Sequence, residues 1–196
     1  MAEPLVRAAV SQTLLRTLRR VRPDAAKHVD GTLSSAARAN LESLNALRWI
    51  PMDHHMELSD RIREFIGAGE RYRVFWQDVF DSLLRRPIFH RFVDMAMRML
   101  ESPAESLLHF APRMYGHIFQ ECGDCSIEVK REANQLGMLT IAGWPGERYE
   151  FDGFVEAMHG SIEGAGGLIP GCRFEVETVE LIRPGLVRLR IWAHET

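Results

Sequence analysis

CSIEVKRE at residues 125–132 and CRFEVETVE at residues 172–180 decide the fold, because each begins at a cysteine and alternates apolar with polar residues. Such alternation is typical of a strand with one buried face. A helical stretch precedes each of these strands, and a second alternating strand follows it. The helical stretches are SPAESLLHFAPRMYGHIFQE (102–121) and FDGFVEAMHGSIEG (151–164), and the second strands are LGMLTIAG (136–143) and LVRLRIWA (186–193). The order helix, strand, strand therefore occurs twice.

This repeated order predicts an α+β fold with a helical N-terminal half. The helix–two strands–helix–two strands unit should form a four-stranded antiparallel sheet, with one wet face and helices over the other. We expect the last two strands to form a hairpin around Arg183-Pro184-Gly185. That hairpin places side chains of opposite charge on one face of the sheet. They are Glu175, Glu177, Arg188 and Arg190.

The helical half has apolar residues at helical spacing, interrupted by prolines. The first helix carries an apolar stripe, and an amphipathic helix must bury such a face somewhere. The stripe consists of Val6, Val10, Leu14, Leu18 and Val21. We therefore interpret residues 1–30 as an N-terminal amphipathic helix or extension, available for a homodimer. Residues 31–196 are then a single α+β domain, helical over 31–121 and sheet-containing over 122–196.

The helix that opens the repeat has a clear start signal. Ser102 is expected to be its N-cap, Pro103 its first residue, and Glu105 the second half of a capping box. Pro112 lies in the middle of the pattern and should kink or end the helix, because proline removes a backbone donor.

The composition is that of an ordinary globular protein of 196 residues with a net charge of −3. A slightly acidic chain disfavours nucleic acid as a partner. No apolar stretch is long enough for a membrane span, and the first residues lack the pattern of a signal peptide. Nearly all positive charge is arginine, which suggests a GC-rich bacterial genome. We expect a cytoplasmic protein with reduced cysteines.

Three cysteines are candidate metal ligands. Cys122 and Cys125 form a C-x-x-C pair, and Cys172 with a histidine such as His117 would complete a tetrahedral zinc site. The alternative is that the cysteines are structural thiols, because Cys125 and Cys172 both fall on the inward face of their strands.

The histidines offer two further candidates. His54-His55 is interpreted as a loop or helix-cap pair, because adjacent helical residues point in different directions and cannot readily chelate one ion. His109 lies on an apolar helix, where a neutral imidazole can ligate a haem iron. The alternative is a histidine that bonds to a backbone carbonyl or lies at the surface. A G-x-S-x-G motif is absent from the sequence, so the pattern favours a binding module over an enzyme.

The order of elements from residue 35 to residue 193 resembles the haem nitric-oxide-binding (H-NOX) domain and its relative, the 4-vinyl-reductase-like small-ligand domain. Trp49-Ile50-Pro51, Ser102-Pro103 and the leucine-rich helix that follows are similar to an uncharacterised myxobacterial family. These resemblances imply a sensory or scaffolding domain with a cavity between helices and sheet.

Although H-NOX domains bind haem, we do not expect this chain to bind it on the basis of the resemblance. His109 falls near the place of the H-NOX proximal histidine. However, the propionate signature Y-x-S-x-R is replaced by Leu139-Thr140-Ile141-Ala142-Gly143. We therefore expect no cofactor, with zinc or haem as the alternative.

The sequence thus predicts a non-enzymatic bacterial signalling domain that binds a partner protein or a small apolar ligand. Its site should lie between the helical layer and the sheet, since binding pockets are mostly apolar with a few convergent polar groups. The predicted site residues are His109, Phe110, Arg113, Tyr115, Trp144 and Phe151. The alternative is a metal- or haem-linked sensor that uses Cys122, Cys125 and Cys172, or His109.

Overall fold

The computed structural model describes residues 3–42, 45–99, 102–132, 135–182 and 185–195. Within these ranges the chain forms eight helices and seven strands. The helices are α1 (Ala8–Val21), α2 (Pro23–Thr32), α3 (Ser35–Glu42), α4 (Met52–Ile66), α5 (Glu70–Leu84), α6 (Pro87–Met99), α7 (Pro103–Ile118) and α8 (Phe151–Gly166). The strands are β1 (Leu5–Arg7), β2 (Trp49–Pro51), β3 (Phe119–Gln120), β4 (Asp124–Glu132), β5 (Gln135–Ala142), β6 (Cys172–Ile182) and β7 (Leu186–Glu195).

The predicted four-stranded antiparallel sheet is confirmed, with strand order β4-β5-β7-β6. Its inward face is almost completely buried, because alternate residues of β5 and β7 point at the helices. They are Leu139, Ile141, Val187, Leu189 and Ile191. The chain is therefore α+β, with its core between the sheet and the helical layer.

The outward face carries the expected opposite charges. Arg190 contacts Glu177 at 3.3 Å across the β6–β7 pair, as predicted. Arg188 instead pairs with Glu180 at 2.8 Å, because a register shift between Thr178 and Glu180 brings these two residues opposite each other. The predicted turn residues at 183 and 184 lie outside the described ranges.

A second, small sheet ties the N-terminus to the middle of the chain. Its strand order is β2-β1-β3, and β1 pairs with both neighbours: Val6 lies opposite Ile50 in β2 and opposite Phe119 in β3. The guanidinium of Arg7 stacks over the ring of Trp49, 3.7 Å from its centroid. The sequence patterns did not reveal this sheet, because strands of two or three residues show no period.

Residues 3–30 contribute to the same core as the other described residues. Val6, Leu14 and Leu18 are fully buried, and α1 packs against helices α2 to α5. The sequence analysis proposed that the apolar stripe of the first helix contacts a second copy of the chain. In the structure, other helices of the same chain cover most of this stripe. Only Val21 at its end is exposed.

Helix α7 starts as predicted and is unbroken across Pro112. The Ser102 hydroxyl oxygen accepts the backbone N–H of Glu105 at 3.4 Å, so Ser102 is the N-cap. The helix runs through Pro112 to Ile118, whereas the sequence suggested a kink or an end at that proline. The polar segment after Pro23 is also helical, and Pro23 occupies the first turn of α2, where a missing backbone donor costs nothing.

Ion pairs join the helical layer to α8 and the loop before it. Arg63 of α4 forms a two-pronged pair with Glu156, at 2.8 Å and 2.9 Å, and also contacts Glu150 at 2.6 Å. Arg73 of α5 pairs with Glu163. Among the described residues, no helix is long and apolar enough to cross a membrane.

Candidate functional site

An apolar cavity of about 110 Å³ lies between the helical layer and the sheet. Helices α1, α4, α5, α7 and α8 form most of its wall, and β3, β4, β5 and β6 contribute one residue each. The wall includes Val10, Met56, Phe80, Leu108, Met114, Leu139, Phe154, Met158 and Phe174. The cavity therefore lies where the sequence analysis expected one.

An aromatic cluster forms one side of this cavity. Trp144 stacks on Phe154 with ring centroids 3.7 Å apart and planes tilted by 13°. Phe119 meets both rings edge-on, at 6.1 Å and 6.4 Å. The loop after β5 holds Trp144, because Gly143 has a positive φ of 80° and donates its N–H to the carbonyl of Gly185. The indole Nε1 of Trp144 is buried and has no hydrogen-bond partner among the described residues.

The helical wall contributes one imidazole. His55 of α4 is 4% exposed and lines the cavity, and its Nδ1 lies 2.9 Å from the hydroxyl oxygen of Ser11 in α1. Burial lowers the pKa of His55 to about 4, so the ring is neutral at physiological pH. Its edge meets the Trp76 ring at 6.4 Å.

The structure separates the six predicted ligand-binding residues. Tyr115 and Trp144 line the cavity. Phe151 is buried behind the wall and stacks on Phe154, while Phe110 belongs to a small separate cluster with Leu107.

His109 and Arg113 are exposed. They are four residues apart on α7 and so share one face, while Leu108, Met114 and Tyr115 point into the cavity. Helical spacing along α7 would have separated the exposed face, which carries His109 and Arg113, from the face that lines the cavity.

The hydroxyl of Tyr115 has a structural role. It donates to the backbone carbonyl of Cys122 at 2.8 Å, and burial raises the pKa of this phenol well above its usual value. Its ring, rather than its hydroxyl, forms part of the cavity wall.

The three cysteines are not brought together. Cys125 lies on β4 and Cys172 on β6, the two opposite edges of the sheet, which are roughly 14 Å apart across the strands. Along the strands they are further separated, because Cys125 is level with Val187 of β7 whereas Cys172 lies opposite Glu195. Cys122 is buried, and its thiol donates to the carbonyls of Gln120 and Leu5. Burial raises the pKa of Cys122 and of Cys125 to about 12, so both are thiols and not the thiolates that bind zinc. Among the described residues, no three His, Cys, Asp or Glu side chains are placed to share a metal ion.

His55 is the cavity residue that sequence reasoning missed. The sequence analysis placed His54 and His55 in a loop or at a helix cap. In the structure α4 begins at Met52, and His55 shares a buried face with Ser59 and Ile62. Ser59 and Ile62 follow His55 by four and seven residues, and this helical spacing could have placed His55 on the buried face of α4.

Solved structures share this architecture along nearly the whole chain. An H-NOX protein from S. oneidensis in the Fe(II)NO state superposes with a TM-score of 0.68 and 10% sequence identity, covering 96% of this chain and 99% of that one. The chain has the H-NOX fold. A structure that probes haem distortion in the H-NOX family gives a TM-score of 0.64 at 16% identity, with 97% and 95% covered. An oxygen-binding H-NOX domain related to soluble guanylate cyclases gives 0.58 at 16% identity, with 93% and 92% covered.

Neither a protein-family model nor a curated protein matches this chain, so the resemblance to the myxobacterial family is not shown. The expectation of no cofactor is contradicted. The structures that share this fold include haem proteins, whereas that expectation rested on a missing propionate signature alone.

Two histidines of this chain differ in whether they can reach the cavity. His109, which the resemblance put forward, is exposed and lies on the far face of α7 from the cavity. His55 has the required chemistry, because it is a neutral imidazole in apolar surroundings, and it is the one histidine among the described wall residues. Pockets for large ligands measure about 300 Å³ or more, so the wall has to move apart. Met56, Met114 and Met158 line it, and methionine adapts readily to such changes.

Proposed function

We propose that this chain is a sensor domain that binds haem in the cavity between its helical layer and its sheet. The observation that carries this proposal is a buried, neutral imidazole that faces an apolar cavity in an H-NOX fold. Haem, when bound, supplies an iron centre for a diatomic gas. The described side chains hold the imidazole neutral and exclude water, and the buried indole N–H of Trp144 has no hydrogen-bond partner among them.

A route from the cavity to the rest of the chain supports a sensing role. The ring of Phe119 lines the cavity, while its backbone belongs to β3 and lies opposite Val6 of β1. A ligand that displaces this ring would therefore act on the small sheet and on the start of α1. Such a change in shape would be read by a partner protein.

A second candidate is a small apolar molecule bound directly by the wall. The cavity volume of about 110 Å³ favours it. An engineered protein cavity of about 150 Å³ lined by apolar side chains stays dry and binds benzene or xenon. A ligand of this size needs no displacement of the wall.

Titration of the purified chain with hemin, followed by visible absorption, tests the first candidate. We expect a Soret band that saturates at one equivalent, and the same band in His109→Ala, because His109 is exposed. Absence of a saturable band would contradict haem binding. Xenon-induced shifts of the Trp144 indole NMR signal would then decide for or against the small-ligand candidate.

A further inference from the structure

We infer that the cavity between the helical layer and the sheet takes a neutral apolar molecule no larger than benzene, and that Ala157 of α8 sets this size limit. This inference rests on the second candidate of the proposed function, the small apolar ligand. It deepens that candidate by naming the class of molecule and the residue that selects it.

The volume of the cavity gives the size of the ligand. Protein interiors are close-packed and leave few voids larger than one water molecule, because a void deprives its wall of contacts. The space of about 110 Å³ exceeds such voids. An engineered apolar cavity of about 150 Å³ binds benzene or xenon, so the smaller space in this chain suits molecules up to about that size.

A row of small residues on α8 leaves this space open. Its members follow one another at intervals of four residues, so they share one face of the helix, and all of them line the cavity. They are Gly153, Ala157, Ser161 and Ala165. Helices α5 and α7 contribute larger side chains to the wall, such as Trp76, Phe80 and Met114. Ala157 is the more deeply buried alanine of the row, so a longer side chain there takes up cavity volume.

Contacts between helices fix the position of this row. Gly160 brings α8 directly against the backbone carbonyl of Arg73 in α5. On the other side, Arg63 of α4 holds Glu156 of α8 at 2.8 Å. Because α8 is held by both neighbours, the side chain at position 157 determines how much of the space a ligand can use.

The wall offers no partner to a charged ligand. None of its described residues is Asp, Glu, Lys or Arg, and burial of an ion without a partner is strongly unfavourable. Three polar side chains of the wall already have a hydrogen-bond partner within the protein, and these are His55, Ser59 and Tyr115. The cavity therefore favours a neutral molecule with few or no polar atoms.

The experiment adds xenon, benzene, naphthalene and benzoate separately to the full chain and follows the methyl NMR signals of its methionines. Met114 and Met158 line the cavity, so xenon and benzene should shift their signals, whereas the signal of the exposed Met95 should not move. Naphthalene is larger and benzoate is charged, so both should leave these signals unchanged at the same free concentration. Benzene should also raise the Tm, because a ligand that binds only the folded state stabilises it.

Three variants test the role of Ala157. Ala157→Leu adds an isopropyl group to the wall and should abolish the shifts that benzene causes. Ala157→Val adds less volume and should weaken benzene binding by about 10-fold or more while xenon still binds, so it supplies the readout if Ala157→Leu does not fold. Ala36→Leu makes the same change at an exposed position of α3 and should match the wild type.

The outcomes separate this inference from the proposed function. If benzene shifts the signals of Met114 and Met158 equally in the wild type and in the folded Ala157 variants, the inference fails while the small-ligand candidate stands. Equal shifts from naphthalene or benzoate overturn the ligand class. A wild type that takes up hemin but responds to neither xenon nor benzene overturns the inference and leaves the haem candidate. A wild type that responds to none of these probes overturns both.

Discussion

Gly160 of α8 packs directly against the backbone carbonyl of Arg73 in α5. A Cβ at Gly160 would overlap that oxygen and would stand 2.8 Å from the Cβ of Trp76, and a Cβ at Gly164 would lie 2.7 Å from the carbonyl of Gln77. The two helices approach closely because glycine recurs after one turn. Since Trp76 lines the cavity, this contact sets the spacing between two of its walls.

Gly160→Ala should therefore destabilise the fold. The added methyl group meets backbone atoms, which cannot move aside as a flexible side chain can, so we expect a loss of about 1–3 kcal/mol or more in the free energy of unfolding. Urea denaturation measures it. Gly31→Ala is the matched control. Gly31 is exposed near the end of α2, a Cβ there meets nothing within 4 Å, and we expect a gain of about 0.4–1 kcal/mol. Equal stability of the two variants would refute tight α5–α8 packing.

The pair between Arg63 and Glu156 should also contribute to stability. Both side chains are mostly buried, with exposed fractions of 16% and 21%, and the pair is two-pronged. Glu156→Gln removes the charge and one strong acceptor, so we expect a loss of about 1.5–3 kcal/mol. Glu64→Gln disrupts the exposed pair with Arg61 in the same helix and should cost less than about 1 kcal/mol. A double-mutant cycle with Arg63→Met would isolate the pair, and a coupling energy near zero would contradict this assignment.

Sequence reasoning succeeded where a pattern is long enough to show its period. The strands of the main sheet have eight to eleven residues, and their alternation gave both the sheet and its buried face. The small sheet was not predicted, because its strands have only two or three residues each. Its formation depends on pairing between Val6, Ile50 and Phe119, which are far apart in sequence, and a local pattern cannot show such pairing.

The sequence predicted a cavity between the helices and the sheet, but only two of the six residues proposed for it line the cavity. Tyr115 and Trp144 line the cavity because they belong to the apolar face of α7 and to the turn after β5. His109 and Arg113 were chosen for their closeness in sequence to apolar residues, although their spacing puts them on the exposed face. His55 was missed because its role depends on Ser11, forty-four residues earlier, and the contact between them arises only from the packing of α1 on α4.

Stability should fall as pH falls, because two buried histidines must become charged on acidification. Burial lowers the pKa of His55 and of His159 to about 4, against an ordinary value of 6.5. Between these values the unfolded chain binds more protons than the folded one, so protonation favours unfolding. The stabilisation is complete above pH 6.5 and is lost as pH falls towards 4, by roughly 3 kcal/mol for each histidine. Urea denaturation across this window should give a flatter pH profile for His55→Gln and for His159→Gln, and flattest for the double variant. An unchanged slope in the double variant would show that other groups dominate.

The three cysteines should differ in reactivity in a fixed order. Cys172 is half-buried at the start of β6, whereas Cys122 is 1% exposed and bonded to two backbone carbonyls. Burial raises the pKa of Cys122 and Cys125 to about 12, and only the thiolate reacts with alkylating agents. With iodoacetamide at mildly alkaline pH, peptide mapping should show modification of Cys172 first, then Cys125, with Cys122 slowest. In denaturing guanidinium all three should react at similar rates, which controls for intrinsic differences. Rapid labelling of Cys122 and Cys125 in the folded protein, suppressed by added zinc, would contradict this order and favour a metal site at the C-x-x-C pair.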